Sequence, residues 1–272
     1  MTQHIEHFDN IGDLYEKTRQ GYPLDLYREV SILSKLHLNG RFLEIGAGSG
    51  IASQEIYNYF GKKMVLLEPA ATFCEQLNRK FNNNKNIEII NSTFEAYQSR
   101  ERFDIIFAAS SFHWIQSMTK YKMLSNLLAS EGLLVIYCNY YNIADECLLK
   151  EIAKINQEYG NIHVFDVQLQ EQQISEQIQE LNRTSYFKTL KSNRYVCNRI
   201  YDINNFRSLI RTSVKIVNHS DNYYNDIINV IKQRENQVVN IQITTSLLVA
   251  RKAKQYPRAE TCKNGSKYLE NP

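Results

Sequence analysis

The segment Phe42–Gly50, which reads FLEIGAGSG, decides the fold. A short apolar run leads into three glycines at alternate positions, and a helical pattern begins near Ile51. Glycine lets the backbone turn sharply and lets a ligand contact the main chain without a Cβ clash. The helix behind the turn offers free N–H groups to polar ligand atoms. The segment therefore predicts a strand, a ligand-binding turn and a helix, in that order.

Two features of this turn indicate the kind of ligand. Glu44 lies two residues before Gly46, and its carboxylate would repel a dinucleotide pyrophosphate but suits a cation. S-adenosylmethionine (SAM) carries both an ammonium and a sulfonium. The glycine spacing is GxGxG rather than GxGxxG, which disfavours a nicotinamide cofactor. Taken alone, the glycines would also fit an ordinary strand–helix turn.

An acidic residue follows the second predicted strand. Glu68 comes directly after Met64–Leu67, eighteen residues past Gly50. A carboxylate at this distance, at the carboxyl end of the second strand, is placed to accept both ribose hydroxyls. The alternative is a solvated glutamate, with Pro69 simply starting a turn. The glycine turn at the right distance favours the ribose role.

Short apolar runs alternate with helical stripes through the first half of the chain. The predicted strands are Arg41–Ile45, Met64–Leu67, Ile87–Ile90, Asp104–Ala109 and Leu133–Tyr137. The predicted helical stripes are Leu26, Val30 and Leu33; Phe73, Leu77 and Phe81; and Tyr121, Leu124 and Leu128. This alternation predicts βαβ units and a mostly parallel sheet with helices on both faces, which is an α/β fold.

The pattern changes in the second half. Stripes at Leu148, Ile152, Ile155 and Tyr159, and at Ile174, Ile178 and Leu181 in a glutamine-rich segment, predict two helices, and no strand is expected between 141 and 184. A strand is expected at Tyr195–Tyr201, a helix from Asp202, and a last strand at Val238–Ala250. We therefore expect one domain over residues 1–251, with a helical cap insertion at about 141–235. The polar tail, residues 252–272, is predicted to be disordered.

The loops after the third and fourth strands hold further candidates. Thr93 and Phe94 follow the third strand and could flank an adenine, although Phe94 is equally a candidate for the core. Ala109 and Ser110 are small residues after the fourth strand, where open α/β sheets bind ligands. His113 is a candidate general base because its intrinsic pKa lies near neutrality. The competing interpretation is a histidine that holds its loop in shape.

Composition and charge narrow the class of protein. Hydrophobic residues make up 43% of the 272 residues and charged residues 22%, as in ordinary globular proteins. No apolar run approaches the ~20 residues of a membrane helix, and the start shows no signal-peptide pattern. Five scattered cysteines without CxxC or metal-type spacing predict reduced thiols, no metal site and a cytoplasmic location.

The net charge of +3 comes entirely from one end of the chain. Residues 252–272 carry five basic and two acidic side chains, so residues 1–251 are neutral overall. An enzyme that acts on nucleic acid usually has a basic body that neutralises phosphates. The charge therefore disfavours nucleic acid as a partner and favours a small molecule.

Taken together, these residues resemble the class I SAM-dependent methyltransferases, specifically the methyltransferase type 11 group with its trans-aconitate methyltransferase-like proteins. The likeness covers most of residues 8–251. Its segments are Tyr15-x-x-x-Arg19-x-Gly21-Tyr22-Pro23, Leu43–Gly50, Glu68-Pro69, Phe94-Glu95, Phe103-Asp104, Ser111–Ile115 and Thr244-x-x-Leu247-Leu248-Val249-Ala250-Arg251-Lys252. The Phe112-His113-Trp114 element and the Tyr15-to-Arg19 start are fairly specific to the group, whereas the glycine turn marks only the superfamily.

The resemblance implies a Rossmann-like seven-stranded sheet whose last strand is antiparallel, with SAM as cofactor and S-adenosylhomocysteine as product. It places Glu44 and the glycine turn at the methionine part of SAM, Glu68 at the ribose and Thr93–Phe94 at the adenine. Tyr15 and Arg19 would lie in an N-terminal segment that closes over the cofactor, where Arg19 could pair with a carboxylate of SAM or of an acidic substrate. The predicted cofactor-binding residues are Tyr15, Arg19, Glu44, Gly46, Ala47, Gly48, Glu68, Pro69, Thr93, Phe94, Ala109 and Ser110.

Three segments depart from the family pattern. Gln20 replaces a proline found in many relatives, which predicts a looser closing segment. The sequence Asn91-Ser92-Thr93 differs from the usual loop after the third strand, which leaves the adenine contacts open. The glutamine-rich segment Gln168–Gln179 matches no known specificity.

Methyl transfer from a sulfonium is an in-line displacement that depends chiefly on positioning and on exclusion of water. A carboxylate acceptor needs no base, whereas a phenol, thiol or amine acceptor could use His113 or Tyr15 as a catalytic residue. The favoured function is a small-molecule methyltransferase, acting as a monomer or homodimer without a membrane partner. The alternatives are an RNA or protein methyltransferase, a non-catalytic SAM-binding protein and, more distantly, a nicotinamide oxidoreductase.

Overall fold

A seven-stranded sheet in the order β3-β2-β1-β4-β5-β7-β6 forms the centre of the protein. The computed structural model describes residues 12–34, 40–160, 162–213 and 220–254. The strands are β1 (Arg41–Ile45), β2 (Lys63–Glu68), β3 (Ile87–Asn91), β4 (Phe103–Ala109), β5 (Leu128–Ile143), β6 (Phe187–Asp202) and β7 (Val238–Lys252). The first five strands are parallel, and β7 runs antiparallel to both β5 and β6. The predicted Rossmann-like α/β sheet, with its antiparallel last strand, is confirmed.

Helices lie on both faces of the sheet. They are α1 (residues 12–18), α2 (Leu24–Leu33), α3 (Ile51–Phe60), α4 (Ala71–Lys80), α5 (Lys120–Leu127), α6 (Glu146–Glu158), α7 (Val167–Arg183), α8 (Ile203–Arg211) and α9 (Asp221–Lys232). The central strands read as continuous apolar runs because both faces are buried. Leu43 and Ile106 pack into one core cluster, while Phe42 and Ile105 pack into the cluster on the opposite face.

Strands β5, β6 and β7 are much longer than the short strands expected there. The paired register of β5 and β7 runs from Leu133 opposite Arg251 to Ile143 opposite Ile241. The predictions Leu133–Tyr137 and Tyr195–Tyr201 were therefore too short, and β5 passes the limit of 141. Asn139 and Asn142 interrupt the apolar pattern of β5, and the side chain of Asn139 instead accepts a cross-strand hydrogen bond of 2.5 Å from Thr245 Oγ1.

The extended ends of these three strands carry the cap. Helices α6, α8 and α9 pack on them and form a separate core cluster, with Ile152, Phe206 and Ile227 fully buried. Helix α7 packs on the main core through Leu181. Strand β6, where a strand was expected at Tyr195–Tyr201, lies within residues 141–235 and is the edge strand of the main sheet.

The predicted helices are present, and the capping residues at two of their N-termini explain where these helices begin. Asp202 caps α8 and accepts a 2.7 Å hydrogen bond from the Asn205 N–H, as its residue type predicted. Asp145 caps α6 in the same way.

Over the described ranges, no helix combines the length and the apolar character required to cross a bilayer. The predicted tail lies mostly outside the described residues, and its first residue, Lys252, ends β7.

Candidate active site

A large cavity opens at the carboxyl ends of the parallel strands. Its volume is about 960 Å³, near the upper end of the range for small-molecule sites. The structure brings every predicted cofactor-binding residue to its wall, as well as His113. The N-terminal segment borders one side of the cavity, and helix α7 and residues of the cap border another. The cavity therefore has room for a cofactor and an acceptor together.

The glycine turn is built by hydrogen bonds to the neighbouring strand. The N–H groups of Gly46 and Ala47 both donate to the Leu67 carbonyl, at 2.8 and 3.0 Å. Gly46 has a φ of +68°, and a Cβ there would lie 2.6 Å from the Cβ of Ser111. Gly48 has a φ of +56°, but a Cβ there would meet no atom within 4 Å. Gly46 is thus required by packing, whereas Gly48 keeps space open in the cavity.

Glu44 presents a buried acceptor at the floor of the cavity. Its side chain is 0% exposed, and Oε2 accepts a 2.5 Å hydrogen bond from Ser53 Oγ. Oε1 has no hydrogen-bond partner among the described residues. Burial raises the pKa of Glu44 to about 8, and the carboxylates of Glu68 and Glu55 also raise it. A buried acceptor without a partner is costly, so this atom fits the ammonium of SAM.

Glu68 holds the glycine turn and faces the same cavity. Its Oε2 accepts from the Gly48 N–H at 2.7 Å, and its Oε1 accepts from the Ala70 N–H at 2.9 Å. The two oxygens of an ionised carboxylate together offer about four acceptor positions. Glu68 therefore fits the pair of ribose hydroxyls while it fixes the loop. The residues present suit SAM at both its charged end and its ribose.

The loops after β3 and β4 complete this end of the cavity. Thr93 Oγ1 accepts from the Ala96 N–H at 3.3 Å, and Phe94 belongs to the main core while it borders the cavity. Ser110 adopts a left-handed conformation with a φ of +52°, which is strained for a residue other than glycine. Its Oγ lies 2.9 Å from the Tyr22 hydroxyl. Such strain at the end of a strand is typical of ligand-binding sites.

Hydrogen bonds to β5 hold the N-terminal segment in place at Gln20 and Gly21. The Gln20 N–H donates to the Tyr141 hydroxyl at 3.1 Å, a bond that the proline of many relatives could not make. Asn139 Nδ2 donates to the carbonyls of Gln20 and Gly21, both at 3.1 Å. The expectation of a looser segment was therefore wrong, because Gln20 supplies an N–H where proline has none.

Among the residues that the structure describes, Arg19 pairs with no carboxylate. Its Nε and Nη2 donate to Thr212, and its guanidinium lies 4.9 Å from the centre of the Tyr141 ring and 5.3 Å from that of Tyr15. The anchor for the segment is thus at the end of α8, which sequence reasoning missed. It also missed Glu55, which accepts hydrogen bonds from the Tyr22 N–H and the Tyr27 hydroxyl. Neither partner carries a local sequence signal.

The two catalytic candidates differ in environment. His113 is exposed on a short 3₁₀ turn, Phe112–Trp114, with its ring 4.6 Å from that of Trp114. Tyr15 is half-buried beside Phe73 at a ring distance of 6.0 Å, and desolvation of its hydroxyl raises its pKa despite the opposing effect of Arg19. The Tyr15 phenol therefore stays protonated near neutral pH, where it can donate a hydrogen bond but cannot act as a base.

Helix α7 lines the cavity with glutamines, which the sequence alone did not assign to a site. Gln170, Gln173 and Gln177 border the cavity. At the far end of this wall, Lys120 Nζ pairs with Glu180 Oε2 at 3.0 Å. These side chains line the cavity from a different element than the strands that carry Glu44 and Glu68.

Comparisons with known proteins agree with this site. Residues 42–131 match a family model described as a methyltransferase domain. Two curated relatives come from Ilyobacter polytropus. Malonyl-[acyl-carrier protein] O-methyltransferase 2 is 33% identical over 76 residues, and malonyl-[acyl-carrier protein] O-methyltransferase 1 is 33% identical over 92 residues. The matched parts cover 28% and 33% of this chain. The chain spans only 29% and 34% of the length of these relatives.

Solved structures share the fold at low sequence identity. A putative type II methyltransferase from Anaeromyxobacter dehalogenans has a TM-score of 0.60 at 13% identity, covering 86% of this chain and 97% of that one. A putative methyltransferase from Bacillus halodurans has a TM-score of 0.53 at 15% identity, covering 85% and 100%. The predicted methyltransferase domain, and SAM as its cofactor, are confirmed at this coarse level. The trans-aconitate-type subgroup stays a prediction.

Proposed function

We propose that this chain, which carries a SAM-dependent methyltransferase domain, transfers a methyl group to a carboxylate oxygen of a small molecule. The observation that carries the proposal is the unpartnered Glu44 Oε1 at the floor of a cavity of about 960 Å³. The buried oxygen suits a cationic cofactor, and the volume leaves room for an acceptor. A non-catalytic SAM-binding protein would be favoured if the region around Ser110–Trp114 left no acceptor cavity, but these residues line the cavity, which argues against that alternative.

Each part of the site has a separate task. Bound SAM would supply an activated methyl group on its sulfonium. Glu44 would accept hydrogen bonds from the ammonium and Glu68 from the ribose hydroxyls, while the loop at Thr93 and Phe94 would flank the adenine. The N-terminal segment, fastened at Thr212, excludes water on one side. The protein therefore acts mainly by holding the reacting groups in line, which is the chief requirement of a displacement reaction.

Two observations support a carboxylate acceptor. The curated relatives are named for malonyl O-methylation, and the malonyl group offers a carboxylate oxygen for that reaction. A carboxylate is already ionised at neutral pH, so it needs no base. This agrees with a protonated Tyr15 and an exposed His113 at the cavity. Both residues stay candidates for catalysis only if the acceptor is a phenol, thiol or amine.

Calorimetric titration with SAM, and separately with NAD, tests the cofactor. Wild type should bind SAM and not NAD. Glu68→Gln, which keeps the size and one acceptor, should weaken SAM binding by about 1–3 kcal/mol, as loss of a charged hydrogen bond does. Glu75→Gln is the control because Glu75 is exposed on α4 and does not line the cavity. Binding of NAD in place of SAM would overturn the proposal.

A screen of small carboxylic acids, with formation of S-adenosylhomocysteine as the readout, tests the acceptor. A methyl ester should form in the presence of SAM and an acid that fits the cavity. If the protein binds SAM but methylates RNA or protein instead, the RNA or protein alternative replaces the small-molecule acceptor. Methylation of an amine in preference to every acid would place His113 back in a catalytic role.

A further inference from the structure

The glutamine-rich helix α7 contributes a polar wall to the cavity. Gln170, Gln173 and Gln177 all line it, with Gln170 and Gln177 half-buried. The spacing of three and four residues places them on one face of a helix. Ile174, Ile178 and Leu181 occupy the adjacent face, where Leu181 belongs to the main core and Ile178 packs against it. The apolar face fixes the orientation of the glutamines.

The amide groups of these three glutamines are available to a ligand. Within the described part of the chain, no side-chain hydrogen bond joins Gln170, Gln173 or Gln177 to another residue. Other glutamines on the helix do have partners, since Gln172 Nε2 donates to Glu176 at 2.8 Å and Gln179 Nε2 to Ser175 at 3.4 Å. Each primary amide offers donors and an acceptor. The wall therefore presents three unused neutral hydrogen-bonding groups.

The charged residues around this wall balance one another. Lys120 pairs with Glu180, which also accepts a 3.1 Å hydrogen bond from the Tyr121 hydroxyl. Glu176 and Arg183 also line the cavity and carry opposite charges. A balanced rim gives no net attraction to a polyanion such as RNA. The ligand that matches three free amides on a neutral wall is itself uncharged and rich in hydrogen-bonding groups.

Resting on the proposed function, we infer that the acceptor carries its methylated group on an uncharged chain of amides or hydroxyls that lies along α7. At 1.5 Å per residue, Gln170 and Gln177 are about 10 Å apart along the helix axis. A chain of that length, with polar groups at intervals, can bond to all three amides in turn. The glutamines are then specificity-determining residues, and the cofactor residues at Glu44 and Glu68 are independent of them.

Two probes of equal length distinguish this chain from an apolar one. N-succinylglycylglycinamide has one carboxylate followed by three amides, and undecanoate has one carboxylate on an alkyl chain. Each is titrated into protein saturated with S-adenosylhomocysteine. We expect the amide probe to bind at least about tenfold more tightly than undecanoate, because each neutral hydrogen bond contributes roughly a two- to tenfold gain.

The variant Gln170→Ala/Gln173→Ala/Gln177→Ala should weaken binding of the amide probe by about 30-fold or more and leave undecanoate unchanged. Its affinity for S-adenosylhomocysteine should match wild type, which also shows that it folds. The matched control is Gln168→Ala/Gln172→Ala, because both glutamines are exposed on α7 and lie outside the cavity wall. It should bind both probes as wild type does.

The outcomes separate the two proposals. If S-adenosylhomocysteine binds but the amide probe binds no better than undecanoate, or if the triple variant keeps its affinity, the inference about α7 is overturned and the methyltransferase function stands. If S-adenosylhomocysteine does not bind to wild type, the proposed function falls and this inference falls with it.

Discussion

Arg19 and Thr212 are 193 residues apart in the chain and are joined by two hydrogen bonds of 2.9 Å. Arg19 Nε donates to Thr212 Oγ1, and Nη2 donates to the Thr212 carbonyl at the end of α8. Thr212 is buried, and its own hydroxyl donates to the Leu209 carbonyl at 2.7 Å. This pair fastens the N-terminal side of the cavity to the cap, so we expect the stability of the cap and the binding of the cofactor to be coupled.

The first prediction concerns this fastening. Arg19→Gln should raise the Kd for SAM by about tenfold, because hydrogen bonds from a charged donor contribute roughly 1.5–3 kcal/mol and closure depends on them. Thr212→Val removes only one acceptor and should have a smaller effect. Calorimetry on both variants and on the double variant measures the coupling. Fully additive effects would show that Arg19 acts on the cofactor without Thr212.

Gly48 and Gly61 provide a matched pair for the second prediction. Both have a positive φ, of +56° and +61°, and a Cβ would meet no atom within 4 Å at either position. Replacement of either by alanine should cost about 1–2 kcal/mol of stability, the usual penalty of a left-handed conformation. Only Gly48 lines the cavity. Gly48→Ala should therefore also weaken SAM binding by at least tenfold, and Gly61→Ala should not.

Denaturant unfolding measures the stability of these two variants, and calorimetry measures their affinity for SAM. Similar losses of affinity in both would mean that backbone strain, and not the space beside Gly48, controls binding.

The third prediction is a pH dependence that originates at Glu44. Its pKa in the folded protein is about 8, raised mainly by burial from an ordinary value of 4.5. The folded state therefore disfavours the ionised form. The contribution of Glu44 to the free energy of unfolding should be highest below pH 4.5, fall as the pH rises to about 8, and then level off. The total loss should be on the order of 3–5 kcal/mol.

Unfolding of the cofactor-free protein at pH 5, 6.5 and 8 tests this prediction. Glu44→Gln is neutral at every pH and should remove most of the decline, whereas the exposed control Glu75→Gln should retain it. Parallel curves for wild type and Glu44→Gln would show that Glu44 ionises freely in the folded protein.

The parallel half of the sheet could be predicted because its strands are buried on both faces and therefore read as apolar runs. The long strands could not be delimited in this way. Asn139 and Asn142 break the apolar run of β5, and Asn139 bonds to Thr245, a partner that only the folded sheet brings close. Strand β6 is an exposed edge strand, so it lacks the alternation of a half-buried strand.

Helix α9, by contrast, carries a clear helical pattern in its sequence. Its residues Tyr223, Ile227, Ile228 and Ile231 are buried, and their spacing is that of a helical stripe.

The residues of the site also fall into those that local sequence spacing predicts and those that only the packing of distant elements brings together. Glu44, the glycine turn and Glu68 belong to two consecutive strand–helix connections, so local spacing predicts their meeting. Thr212 lies on a distant helix, and its contact with Arg19 depends on how the cap packs. The glutamines of α7 stand out by composition, but only the packing of Leu181 shows which of them face the cavity. Local chemistry was therefore predictable, and contacts between distant elements were not.

The last prediction separates positioning from base catalysis. If the acceptor is a carboxylate, its oxygen attacks without losing a proton, so no residue has to remove one. His113→Gln should then change kcat for a carboxylic acid acceptor by less than about threefold, far below the 10²–10⁴-fold loss expected when a general base is removed. The pH profile of kcat should be unchanged around pH 6–7, where an unperturbed histidine titrates. Tyr15→Phe serves as the companion variant, because it removes the hydroxyl of the other catalytic candidate while preserving the ring that packs on Phe73. A loss of a hundredfold or more in His113→Gln, with a pH step that disappears in the variant, would require an acceptor that loses a proton and would therefore exclude a carboxylate.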